Sequence, residues 1–194
     1  MRVVFVHGAC VPDGAWWWHR TAELLLERGV PSVAPPLPSC GEGGTPGGAG
    51  GPGLPEDVAA VRQVLQDGNE PTVVVAHSYG GIVTAEAAAG VGSVRHLLLV
   101  SSYLPEVGQS LCDFGDGTPA SFLDVDPDSG TFGVRPDGLA AGALDLPRLR
   151  PFRTHPVRNV AYATQFRSGL GQSGWSSPSP VSTATGQWAL AMSA

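Results

Sequence analysis

Lysine is absent from this chain of 194 residues, so its 11 basic side chains are all arginine. Against them stand 17 acidic residues and a formal charge of −6, which gives nucleic acid little to bind. Cysteine is scarce. Cys10, Cys40 and Cys112 are odd in number and widely spaced, with no Cys-X-X-Cys and no nearby His pair. That spacing argues against a disulfide framework and against a zinc site, and leaves free thiols and no metal. No apolar run reaches the roughly 18 residues of a membrane span, and Met1-Arg2 enters Val3-Val4-Phe5-Val6 directly, without a charged-then-apolar leader. The expectation is a cytoplasmic protein with no membrane partner.

Acid also runs out along the chain, since no Asp or Glu follows Asp145 and no His follows His155. Residues 1–145 carry all 17 acidic residues and six arginines, a net −11, while residues 146–194 carry five arginines and no acid, a net +5. Such asymmetry marks either a tail for an acidic partner or a segment not selected for the preceding fold. Residues 168–194, rich in Ser, Gly, Thr and Pro without apolar periodicity, are expected to be weakly ordered or to pack on another chain. The length suits one domain, and 42% hydrophobic content is enough for a core. Its parts are a core over 1–105, a partial cap over 106–150 and an atypical segment over 151–194.

What is present is an alternation of strand and helix signals. Strands are expected near 2–7, 30–34, 72–76 and 95–101, with helices near 16–29, 55–66 and 79–90. Pro55 opens the second helix, and Val58, Val61, Val64 and Leu65 recur at helical spacing. This pattern predicts a parallel sheet with right-handed crossovers and strand order 2-1-3-4, its ligand site beyond the carboxyl ends of the strands. Residues 35–54 read as a Pro/Gly loop too flexible in composition to form an element. Residues 106–150 read as a loop-rich lid, and Asp-Pro-Asp-Ser-Gly at 126–130 reads as a turn rather than a calcium loop. Trp16, Trp17 and Trp18 point three ways at helical angles, so one or two reach a site and the rest join the core.

The chemistry concentrates in Val73-Val74-Val75-Ala76-His77-Ser78-Tyr79-Gly80-Gly81. A buried-strand run ends in small-X-Ser-X-Gly and an Ala-rich helix follows, which places Ser78 on a sharp strand-to-helix turn, a nucleophile elbow. Small residues must flank that turn at two before and two after, and Ala76 and Gly80 do so. Acyl transfer also needs two backbone N–H groups facing the developing oxyanion, one after the nucleophile and one from a loop after a neighbouring strand. Tyr79 and Ala9 are the candidates, Ala9 lying in His7-Gly8-Ala9-Cys10 after the first strand. His7 and His77 read as braces rather than bases.

Together His-Gly-Ala-Cys, Gly14-Ala15-Trp16-Trp17-Trp18, Ala-His-Ser-Tyr-Gly-Gly and Ser101-Ser102-Tyr103-Leu104-Pro105 resemble the small α/β-hydrolases related to plant methylesterases and hydroxynitrile lyases. The resemblance covers about residues 2–135. It implies an α/β fold and an esterase-like cytosolic enzyme that needs no cofactor, with Ser78 as nucleophile and Ala9 and Tyr79 as oxyanion donors. Ala76 stands where the family commonly has Gly. The family's later strand ending in the triad Asp, and its Gly-His near the C-terminus, have no counterpart here. The resemblance therefore implies a truncated α/β-hydrolase fold with about four recognisable parallel strands and a loop-rich partial cap.

A serine needs a base, itself oriented by an acid. Only His96 and His155 follow Ser78, and His96 falls at the wrong end of its strand, so His155 is the candidate base and a surface-loop residue is the competing reading. Three functions remain open: an ester hydrolase acting on a small substrate, a lyase or cyclase on the same scaffold, and a degenerate hydrolase kept for binding. Losing strands would expose a sheet edge, which makes a homo-oligomer a further expectation.

Overall fold

The structure, a computed structural model, describes residues 1–44, 48, 50–107, 109, 111–114, 119, 121–135, 137 and 158–161. A four-stranded parallel sheet is built from β1 (Arg2–Val6), β2 (Ser32–Val33), β3 (Thr72–His77) and β4 (Val94–Val100), in the order β2-β1-β3-β4. This is the predicted order. Three helices connect the strands: α1 (Gly14–Leu26), α2 (Leu54–Gln66) and α3 (Gly80–Ala87). Asp13 caps α1 by accepting from the Trp16 N–H at 2.8 Å, and Gly29, at φ +72°, turns the chain out toward β2.

Alternation along the strands sends side chains to opposite faces, so each face needs its own cover. Val4, Val6, Val74 and Ala76 face α2 and α3, where they meet Val61, Leu65 and Val83. Val3, Phe5 and Val75 face α1, and Phe5 stacks on Trp18 with ring centroids 4.6 Å apart. Each such side chain contributes about 1.5–3 kcal/mol by leaving water, which is why β1 and β3, covered on both faces, anchor the site. On β4 the sheet is less covered, and Leu98 and Val100 are exposed.

One expectation is corrected. The 35–54 stretch contains two short 3₁₀ turns, Pro38–Cys40 and Glu42–Gly44, to which Asp57 and His7 are hydrogen-bonded from elsewhere in the fold. Within the expected cap, β5 (Leu123–Asp126) and β6 (Thr131–Val134) form an antiparallel hairpin, and β7 (Arg158–Ala161), from the segment beyond it, pairs with β6. The hairpin turn is as expected, with Asp126 Oδ1 accepting from the N–H groups of Asp128 and Ser129 and Gly130 at φ +64°. His155 and the 168–194 segment lie outside the described residues.

Candidate active site

Three strands end at one edge of the sheet, and each is followed by a non-glycine residue with positive φ. They are Cys10 at +62° after β1, Ser78 at +51° after β3 and Ser101 at +42° after β4. Such backbone costs of order 1–3 kcal/mol and persists only where the surroundings hold it. At Ser78 the restraint is visible, because its carbonyl accepts from the Gly81 N–H at 3.1 Å and from the Ser102 hydroxyl at 2.6 Å.

The glycines explain how the helix comes so close. A Cβ on Gly80 would lie 2.5 Å from the Val6 carbonyl oxygen and 2.6 Å from that of His7. One on Gly81 would collide with Ser102 Oγ and the Tyr103 carbonyl. On the facing loop, a Cβ on Gly8 would stand 3.0 Å from both Ser78 Cβ and His77 Nδ1. The 7–10 loop and the Ser78 turn are therefore in contact, which brings Ala9, Ser78 and Tyr79 to one place. Among the described residues the half-buried Ser78 hydroxyl has no hydrogen-bond partner. His96 pairs with Val73, near the start of β3, far from that hydroxyl.

His7 is fully buried. Its Nδ1 donates to the Gly8 carbonyl at 2.8 Å and its Nε2 lies 2.7 Å from Glu42 Oε2, the bracing role read from the sequence. Glu42 was missed by sequence reasoning. Its carboxylate also accepts from the backbone N–H groups of Gly14 and Leu37, each at 2.6 Å, and so ties the 7–10 loop, the start of α1 and the 35–44 excursion together. Burial works to raise the Glu42 carboxyl, but the bonds from His7, Gly14 and Leu37 outweigh it and hold the group below its ordinary 4.5. A depressed folded value means stability that is present above 4.5 and lost as pH falls through the lower folded value. Glu42→Gln is accordingly expected to cost about 2 kcal/mol at neutral pH. Urea titrations should show the gap to the unsubstituted protein closing as the solution is acidified below that range; a gap that stays constant would exclude the carboxylate as its source.

Asp57, also missed, is fully buried on the first turn of α2. It accepts from the Ser39 N–H at 2.9 Å, the Ser39 hydroxyl at 2.5 Å and the Tyr79 hydroxyl at 2.7 Å. Burial pushes its carboxyl up, and the three hydrogen bonds, with a smaller pull from His7, draw it back without cancelling the rise. Burial and the Asp57 charge push the Tyr79 phenol well above its usual value, so it acts as a donor. Burial likewise pushes Cys10 up to about 11 and Cys40 up to about 12, which keeps both as thiols and poor nucleophiles at neutral pH.

Aromatic rings surround the turn. Trp17 lies over His77 with centroids 6.0 Å apart, and Tyr103 meets Phe114 at 5.0 Å. Trp18 is the core member of the tryptophan triplet, while Trp16 stands 54% exposed instead of packing inside. Burial holds His77 below the usual histidine range, so its ring is neutral beside Ser78. A shallow depression of about 360 Å³ lies at the other edge of the sheet, among Leu65, Asn69, Val91 and Ser93. It has no charged side chain in its lining.

Comparison with known proteins agrees with this architecture. Residues 3–192 match the model of the alpha/beta hydrolase family. The protein "Lipase LipV" of Mycobacterium tuberculosis is 34% identical over 128 residues, covering 65% of this chain and 46% of that protein. The chain thus spans less than half the length of this relative. Among solved structures, a pyrethroid hydrolase from Sphingobium faniae JZ-2 gives a TM-score of 0.64 at 19% identity, covering 86% of this chain and 72% of that one. A methylesterase from Arabidopsis gives 0.50 at 19% identity, covering 73% and 57%. Likeness at such identities concerns the fold. No helix among the described residues is long and apolar enough to cross a membrane.

Proposed function

Since this chain belongs to the alpha/beta hydrolase family, we propose that it is a serine-dependent hydrolase of small esters, akin to the methylesterase-like members. Ser78 is the nucleophile, and the N–H groups of Ala9 and Tyr79 receive the oxyanion. The observation that carries this reading is the positive φ of Ser78, +51°, at a strand-to-helix turn crowded by Gly80 and by the 7–10 loop. A hydroxyl held in that conformation stands clear of its own backbone. Ser78 Oγ gives up its proton as it joins the ester carbonyl carbon, and the charge collects on the carbonyl oxygen. Collapse breaks the ester C–O bond, the alcohol leaves with that proton, and water then releases the acid and restores Ser78. Exposed aromatic surface at Trp17 and Tyr103 suits an apolar acyl or alcohol group.

The base is the open half of the mechanism, and His155 is the candidate for it. That residues 146–194 hold no Asp or Glu to orient such a base favours, as second reading, a hydrolase-like protein retained for binding. A fluorophosphonate probe separates the two. Attack by Ser78 on phosphorus expels fluoride and adds the phosphonyl group to one tryptic peptide, and Ser78→Ala should abolish that mass shift. Absence of labelling in the unsubstituted protein, or labelling that persists in Ser78→Ala, would leave the binding reading.

A further inference from the structure

We propose that Asp57 is a positioning residue of this site, acting through the Tyr79 phenol to fix the Tyr79 backbone N–H against the developing oxyanion. The inference rests on the serine reading given above. Asp57 is 0% exposed, and all three of its donors come from outside α2: two from Ser39 in the 38–40 turn and one from the residue that follows Ser78. None of them carries a positive charge. A buried carboxylate whose hydrogen-bond donors are all neutral contributes little to stability compared with an apolar side chain of the same size, so its place here is explained by what it holds.

What it holds is the far end of the side chain whose near end is the oxyanion donor. Tyr79 is 8% exposed and stands at the N-cap of α3, directly after the strained Ser78. A strained turn relaxes unless it is over-determined. On one side the Ser102 hydroxyl grips the Ser78 carbonyl at 2.6 Å; on the other, Asp57 grips the Tyr79 hydroxyl at 2.7 Å. An O–H bonded to a carboxylate is stronger and more directional than a neutral pair, and a backbone donor in an oxyanion hole is sensitive to small displacements. Ser39 completes the clamp by pinning Asp57 itself.

Tyr79→Phe keeps the ring and the backbone N–H and removes only the hydroxyl. With p-nitrophenyl acetate as substrate, kcat should fall about tenfold while KM stays within about twofold, because the lost interaction acts in the transition state. The rate at which the fluorophosphonate labels Ser78 should fall in parallel. Asp57→Asn should act in the same direction, and the double variant should be no slower than the slower single one, since the two groups work as a unit. Should Asp57→Asn fail to fold, Ser39→Ala, which removes a donor from Asp57 and leaves Tyr79 intact, takes its place in the cycle. A merely structural role would lower the unfolding midpoint and leave kcat of the folded enzyme unchanged. The proposal is overturned if Tyr79→Phe retains kcat within about twofold while turnover still depends on Ser78, or if the effects multiply. Turnover unchanged in Ser78→Ala would instead overturn the serine reading, and this proposal with it.

Discussion

Ser78→Ala is expected to remove the covalent route and bring hydrolysis of p-nitrophenyl acetate down to the residual rate that the oxyanion hole and binding alone support. The size of the drop reports how complete the catalytic machinery is. An oxyanion hole and a binding site alone give about 10³–10⁴ over water, whereas a serine served by a base gives several orders of magnitude more. If His155 is the base, His155→Ala should cost nearly as much as Ser78→Ala, and the double variant no more than either, because nucleophile and base act as one unit. If solvent takes the proton, His155→Ala should stay within about twofold. Full turnover by Ser78→Ala would remove the covalent mechanism.

Gly80→Val should cost about 3 kcal/mol of folding stability, a large share of the 5–15 kcal/mol typical of a domain. The reason is geometric. The first atom of any side chain there would sit 2.5 Å from the Val6 carbonyl oxygen and 2.6 Å from that of His7, and backbone cannot swing aside as a flexible side chain can. The helix would have to lift from β1, carrying Tyr79 away from the 7–10 loop. A urea titration should show a lower midpoint at unchanged slope. An unshifted midpoint would mean that α3 approaches β1 less closely than described.

The sheet was legible in the sequence because the signals were local. Val3 to Val6 and Val73 to Val75 are β-branched or aromatic runs, and the helices between them follow apolar spacing, so order and direction followed from general rules. The turn at Ser78 was legible for the same reason. Glu42 and Asp57 were not. Glu42 sits in a stretch whose Pro and Gly content suggests an unstructured loop, and its partners are up to 35 residues away in sequence. Asp57 looks like any acid in the first turn of a helix, where a surface residue is the common case; only the approach of Ser39 and of Tyr79, 22 residues later, turns it inward. The β5–β6 hairpin carried a readable signal, Leu-Asp-Val-Asp and Thr-Phe-Gly-Val about an Asp-Pro-Asp-Ser-Gly turn, obscured by the surrounding glycines and aspartates.

The three positive φ values after β1, β3 and β4 also bear on how readily this protein can be made heat-resistant. Glycine adopts such conformations without penalty, so at Cys10, Ser78 and Ser101 replacement by glycine relieves native-state strain, at the cost of a freer unfolded chain. A selection that scores survival on heating, and nothing else, is thus drawn toward the corner that holds the candidate site. At Ser78 the same change deletes the hydroxyl proposed above as the nucleophile. Screens for robust variants should therefore be scored on turnover after heating rather than on retained solubility.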